Sequence, residues 1–171
     1  EVSWASLPAA QQEEIEESVA MLTEAAAQGH SEAGSIRCIL AFLLENVWND
    51  FDGAIAEYRM AIEADPSNAM AYYNLSKLLW CARKDVDSSE AACRAAIALD
   101  PGFAKAHISL GGLMRHGRDD VDGAEAAFRV AIAADPGYAE GYLALGALLE
   151  NDRNDIDGAE AAYRAAIAAA P

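Results

Sequence analysis

Apolar positions near the end of the chain recur at helical spacing, stop, and begin again. Tyr142, Leu145 and Leu149 fall at i, i+3 and i+7, one face of a helix. Asn154-Asp155-Ile156-Asp157 then breaks the stripe with short polar side chains suited to capping a helix N-terminus. A second stripe runs through Ala159, Tyr163, Ala166 and Ile167, and Pro171 cannot continue it. The pattern predicts two helices. Gly146, Ala159 and Ala166 are small enough for the pair to approach closely, with Tyr163 filling the remaining gap.

This figure repeats upstream at a step of 35 residues. Asp-Pro stands at Asp65-Pro66, Asp100-Pro101 and Asp135-Pro136. Leu40, Leu75, Leu110 and Leu145 share one column, and Ala54, Ser89, Ala124 and Ala159 another. A bulky slot holds Tyr58, Phe128 and Tyr163, with Cys93 the exception. Four units result, 32–66, 67–101, 102–136 and 137–171, after an N-terminal segment 1–31 whose residues 9–28 read as a capping helix. A period between 20 and 50 residues signals a solenoid, so the expected fold is an all-α superhelix of four helix pairs.

The columns resemble the tetratricopeptide repeat. Its sequence of a bulky residue, Leu-Gly, a large apolar residue, Ala, an aromatic, Ala and Pro is matched by Tyr142, Leu145-Gly146, Leu149, Ala159, Tyr163, Ala166 and Pro171. The third unit matches through His107, Leu110-Gly111, Met114, Ala124, Phe128, Ala131 and Pro136. The second departs at Ser76, Ser89 and Cys93, and the first at Arg37 and Ala41. The family unit has 34 residues; here one more lies in the turn between helices. Upstream, "LTEAAAQGHSEA" (22–33) is similar to a helix end and turn of the related Sel1-like repeat.

Asp120-Val-Asp122-Gly123 suggests part of a calcium loop. Such a loop needs oxygen ligands at positions 1 and 12 around a glycine at position 6. Gly123 at that position puts Arg118 and Arg129 in the ligand slots, and Gly158 puts Arg153 and Arg164 there. Cations in ligand positions exclude the site. The aspartates are read as helix caps instead, with Asp122–Glu125 and Asp157–Glu160 at capping-box spacing.

Composition agrees with helix: hydrophobic types make up 53% of the chain, much of it alanine, with few aromatic residues. No apolar run is long enough to span a membrane. A net charge of −16 argues against nucleic-acid binding. The charge is uneven, however: net −11 over 1–66, +3 over 67–118 and −8 over 119–171. Cys38, Cys81 and Cys93 lack the paired spacing of a zinc site and read as small buried residues. His30 falls in a predicted turn, His107 in a packing column and His116 near a helix end. No catalytic or phosphate-binding motif is present, so no enzyme, cofactor or metal is expected.

The resemblance implies a concave groove lined by each unit's first helix, where a peptide or helix of a partner protein binds. Columns carried over to that face include Tyr73, Ile108 and Leu143; Asn74, Ser109 and Ala144; Lys77, Gly112 and Ala147; and Trp80, Arg115 and Glu150. Some family members clamp a chaperone's C-terminal carboxylate with Lys, Asn, Asn, Lys and Arg. The corresponding positions here are Cys38, Phe42, Asn74, Lys105 and Ser109, which match at two of five. The expected binding patch is Tyr73, Asn74, Lys77, Trp80, Lys105, Ile108 and Arg115, aromatics mixed with cations and suited to an acidic segment. The alternative is a fixed subunit or assembly factor of a large complex, organellar or otherwise, for a chain that starts at Glu1 rather than Met. Nothing follows the last pair to cover its stacking face, so that end is expected to dock on something, within a longer chain or elsewhere.

Overall fold

The computed structural model describes residues 8–28 and 32–170. His30 and part of the 22–33 turn lie outside them. Among the described residues all regular structure is helical: α1 (Ala9–Ala27), α2 (Ala33–Asn46), α3 (Phe51–Ala64), α4 (Ala69–Leu78), α5 (Val86–Leu99), α6 (Ala104–Gly117), α7 (Val121–Ala134), α8 (Ala139–Asn151) and α9 (Ile156–Ala169). A π-helical turn, Leu79–Arg83, extends α4. No described helix is long and apolar enough to cross a membrane.

Consecutive helices pack pairwise, α2 on α3, α4 on α5, α6 on α7 and α8 on α9, and each pair stacks on the next. α1 packs against α2. The chain is therefore a helical solenoid with a helix laid on its first pair.

Close packing within a pair depends on the small residue facing the aromatic. A Cβ added to Gly111 would lie 2.4 Å from Phe128 Cε1, and one added to Gly146 would lie 2.6 Å from Tyr163 Cε1. The aromatic ring thus rests on bare helix backbone, as expected of Gly146 and Tyr163. In the second pair Ser76 and Ser89 replace the Gly and Ala of this contact. The Ser89 hydroxyl donates to the Ser76 carbonyl at 2.7 Å and lies 3.2 Å from the Ser76 hydroxyl. Cys93, where the other pairs carry an aromatic ring, donates to the Ala106 carbonyl of the next unit at 3.0 Å.

The turn inside each pair has one backbone signature. Asn49, Lys84, Asp119 and Asn154, one per unit, adopt left-handed φ of 54–57°. The amide after each reaches back to the preceding helix: Asp50 to Leu44 O, Asp85 to Leu79 O, Asp120 to Met114 O and Asp155 to Leu149 O. The closed loop is seven residues long, one more than the six-residue loop of the Schellman-type left-handed cap. It accounts for the extra residue in each turn.

The capping expectation needs a correction of two residues. Asp120 and Asp155 are the N-caps, accepting from the Gly123 amide at 2.9 Å and the Gly158 amide at 3.0 Å. Asp50 and Asp85 do the same for α3 and α5. Asp122 and Asp157 sit inside the first turn, where their charge faces the helix's positive end. Asp122 is then free to bind Arg153 of the next unit.

Between pairs, Asp65, Asp100 and Asp135 accept the amides of Ser67, Gly102 and Gly137, each at 3.0 Å. The carboxylate closes the turn while the following proline ends the helix. Two hydrogen bonds from Ser67 hold the Asp65 carboxyl below its ordinary pKa.

Candidate functional site

The face formed by the first helices opens into a cleft between α4 and α6. Its walls are Ser76, Lys77, Trp80, Ser109, Gly112, Leu113 and His116, and its volume is about 140 Å³. The sequence explains the opening. Gly112 lies in a helix interior at a cost of about 1 kcal/mol relative to alanine, and a Cβ there would touch nothing within 4 Å. Its neighbour Gly111 is required by Phe128; Gly112 has no packing role.

Trp80 forms one wall. It packs against the buried cluster of Cys93, Ala96, Ala106, Leu110 and Leu113. Lys84 Nζ lies 4.7 Å from its ring centroid. The π-helical turn of α4 carries Trp80, and such turns are frequent at functional positions.

The seven residues expected from the sequence separate into distinct surroundings. Lys77 and Trp80 line the cleft together. Tyr73 stacks on Phe103, ring centroids 5.1 Å apart and planes at 53°. Lys105 is exposed, its ammonium 5.9 Å from the Tyr138 ring centroid, in a shallow depression that also includes Asp100 and Asp135. Asn74 is half-buried on α4. Ile108 packs into the cluster of Ala124, Phe128, Leu148 and Leu149, so it serves the contact between units.

Arg115 is placed differently from a free groove cation. Its guanidinium is 2.5 Å from Asp152 and donates to the Ala147 carbonyl at 3.2 Å, tying α6 to the C-terminal end of α8. Its buried Nε has no hydrogen-bond partner. Lys77 also pairs within the chain, with Glu45 of α2 at 3.2 Å. The positive charge of the middle segment is thus largely matched by carboxylates of neighbouring units. These matches are not legible in the sequence because each pair spans 28 residues or more, beyond the reach of helical spacing.

Ser109, Gly112 and His116 complete the cleft but were absent from the expected patch. Gly112 was the detectable one, as a helix-interior glycine at an outward position.

Cys93 is fully buried, and burial pushes its pKa up to about 11. Burial, followed by the Asp65 charge, raises that of Cys38. Cys81 is exposed, contrary to the expectation of a buried residue. His107 is buried, with Nε2 3.0 Å from the Pro101 carbonyl, and so fixes the turn before α6. Among the described residues no group of three or more His, Cys, Asp or Glu side chains could hold a metal ion.

A model of the tetratricopeptide repeat matches residues 49–102 and 113–171, more than half of the chain. No curated protein matches. Among solved structures, MamA from Desulfovibrio magneticus RS-1 is 20% identical with a TM-score of 0.74, covering 90% of this chain and 84% of its own. PilF of Pseudomonas aeruginosa is 16% identical with a TM-score of 0.71, covering 90% and 75%. The first such domain of Spaghetti (RPAP3), solved bound to an HSP90 peptide SRMEEVD, is 19% identical with a TM-score of 0.65, covering 72% and 95%. At these identities the structures establish the shared fold. The 35-residue helix pairs, the glycine–aromatic contact and the matching family model lead to one conclusion: this chain belongs to the tetratricopeptide repeat family.

Proposed function

We propose that the chain is a non-catalytic protein-interaction module that captures a peptide or helix of a partner protein on the face of its first helices, anchored in the Trp80–Gly112 cleft. The observation that carries this reading is the cleft itself. It is held open by a glycine with no packing role and walled by a tryptophan, and it has room for one apolar side chain. Aromatic walls that exclude water around a single anchor are where binding energy concentrates. Lys105 is exposed and Lys77, though paired with Glu45, keeps 45% of its side chain exposed, so acidic residues flanking the anchor are favoured. Spaghetti's chaperone peptide is not a guide to the ligand. Cys38 and Phe42 stand at two of the clamp positions, and Phe42 is a largely exposed apolar side chain.

Peptide display against the intact chain tests the proposal, with Gly112→Leu as the counter-selection. A Cβ at Gly112 meets nothing within 4 Å, so the leucine of Gly112→Leu starts in open space and its outer carbons occupy the cleft; circular dichroism checks that the fold is kept. The expected result is a consensus of one large apolar residue with acidic flanks, whose binding falls at least about tenfold in Gly112→Leu. A basic consensus, or peptides that bind Gly112→Leu equally well, would overturn it.

A second reading, that of a fixed subunit of a larger assembly, is favoured by the apolar side chains on the outer face of α9. Ile156 and Ile167 are 58% and 76% exposed.

A further inference from the structure

The Trp80–Gly112 cleft combines apolar walls with serine hydroxyls, and those hydroxyls are not equivalent. The Ser89 hydroxyl gives its proton to the Ser76 carbonyl at 2.7 Å. In the 3.2 Å contact between the two hydroxyls Ser76 is therefore the donor. Ser76 and Ser89 are fully buried, so both protons are used inside the chain and form a closed floor.

Ser109, on the α6 wall, differs. Its side chain is half-buried in the cleft, and its hydroxyl has no hydrogen-bond partner among the described residues. Lys77 is paired with Glu45, and His116 is exposed to solvent. While the cleft is open, solvent can satisfy Ser109. A side chain that fills the cleft takes that solvent away, so it must replace the hydrogen bonds or leave a buried hydroxyl unpaired.

The repeat shows that the helix does not need this hydroxyl. At the next step along the face, between α6 and α8, Ala144 stands for Ser109, Ala147 for Gly112 and Arg115 for Trp80. At the preceding step, between α2 and α4, the same places hold Asn74, Lys77 and Glu45. An indole wall, a glycine opening and an unpaired hydroxyl coincide at the middle step alone.

Together these groups define the side chain that fits. Trp80 and Leu113 favour a flat apolar body. Ser109 needs a tip that can accept its proton as well as donate one. Phenylalanine and leucine have the body without the tip, and the indole N–H of tryptophan donates but cannot accept. Asparagine and glutamine have the tip without the ring, and a carboxylate would lose its hydration against the indole. A phenol meets every condition.

We propose that the cleft selects tyrosine: the partner's ring lies against Trp80 over Gly112, and its hydroxyl exchanges hydrogen bonds with Ser109. This rests on the cleft being the anchor site for a partner segment, and makes Ser109 the residue that sets its specificity.

The probes are end-blocked peptides Asp-Glu-Xaa-Glu-Asp with tyrosine, phenylalanine, tryptophan or leucine at the centre. Each is titrated into the intact chain and followed by NMR at the Gly112 amide and the Trp80 indole N–H. The tyrosine peptide should bind at least about fivefold more tightly than the others. Ser109→Ala should bring it to within about twofold of the phenylalanine peptide and leave the latter's affinity unchanged, a split that a merely structural role would not produce. Thermal unfolding of Ser109→Ala should match that of the parent chain, as Ala144 occupies the same place in α8. Phenylalanine, tryptophan or leucine binding as tightly as tyrosine, with binding lost in Gly112→Leu, would overturn the tyrosine preference and leave the anchor site standing. Equal weakening of the tyrosine and phenylalanine peptides by Ser109→Ala would do the same. Signals at Gly112 and Trp80 that respond to none of the peptides would overturn both the preference and the anchor site.

Discussion

The second and third units share one backbone plan but fill its tightest contact with different chemistry. In the third, Phe128 lies on Gly111 and is 3% exposed. In the second, the space belongs to Ser76 and Ser89, both fully buried and hydrogen-bonded to each other, beside a small Cys93. The ring needs a bare backbone beneath it; the serines need the ring gone. The three substitutions of the second unit are therefore one coupled change. Read singly, each looks like a departure from the family pattern; together they are a second way of filling the same space. An apolar contact tolerates a small–large pair, and buried hydroxyls tolerate only partners that satisfy them.

Phe128→Ala tests the first half of this comparison and should have the largest effect. It removes a buried ring from a contact shaped around it, with an expected loss of about 3–5 kcal/mol in denaturant unfolding. Tyr163→Ala should cost markedly less, because that ring is only half-buried. Equal losses at the two positions would mean that stacking of the next unit adds nothing to the contact.

Next in size, Cys93→Phe should destabilise by about 1–3 kcal/mol, since the new ring meets Ser76 where Phe128 meets Gly111. Adding Ser76→Gly should restore at least about 1 kcal/mol, a coupling measurable in a double-mutant cycle. A neutral Cys93→Phe would show that the serines do not exclude the ring, and the coupling would be lost.

The smallest effect concerns the turn of the second unit. Asn or Asp occupies the left-handed position in the other three units and tolerates it; Lys84 does not have the same local hydrogen-bonding capacity. Lys84→Gly should raise stability by about 0.5 kcal/mol after the loss of the Trp80 contact. A fall in the thermal midpoint would mean that the Lys84–Trp80 contact outweighs the strain.

The helices, their pairing, the 35-residue period and the glycine–aromatic contact were legible in the sequence. Each depends on neighbours within one helix or on a repeat that displays the same contact several times. Gly111 and Phe128 recur as Gly146 and Tyr163, so one unit explains the other. The position of a cap within the Asp-X-Asp turn was less legible. Asp120 and Asp122 have the same chemistry, and only the path of the backbone decides which faces the Gly123 amide.

What the tertiary structure alone decided is where the charges go and where the surface opens. Arg115 reads as a groove cation until the fold brings Asp152 to it, and Arg83, Arg118 and Arg153 read as solvated charges until stacking lays each against the previous unit's carboxylates. The Gly112 opening becomes a cleft only once Trp80 stands across from it on another helix. Helical periodicity is a property of residues three and four apart, and the sequence determines it unaided. Ion pairs and clefts form between residues some 30 apart, and they exist only after neighbouring units stack.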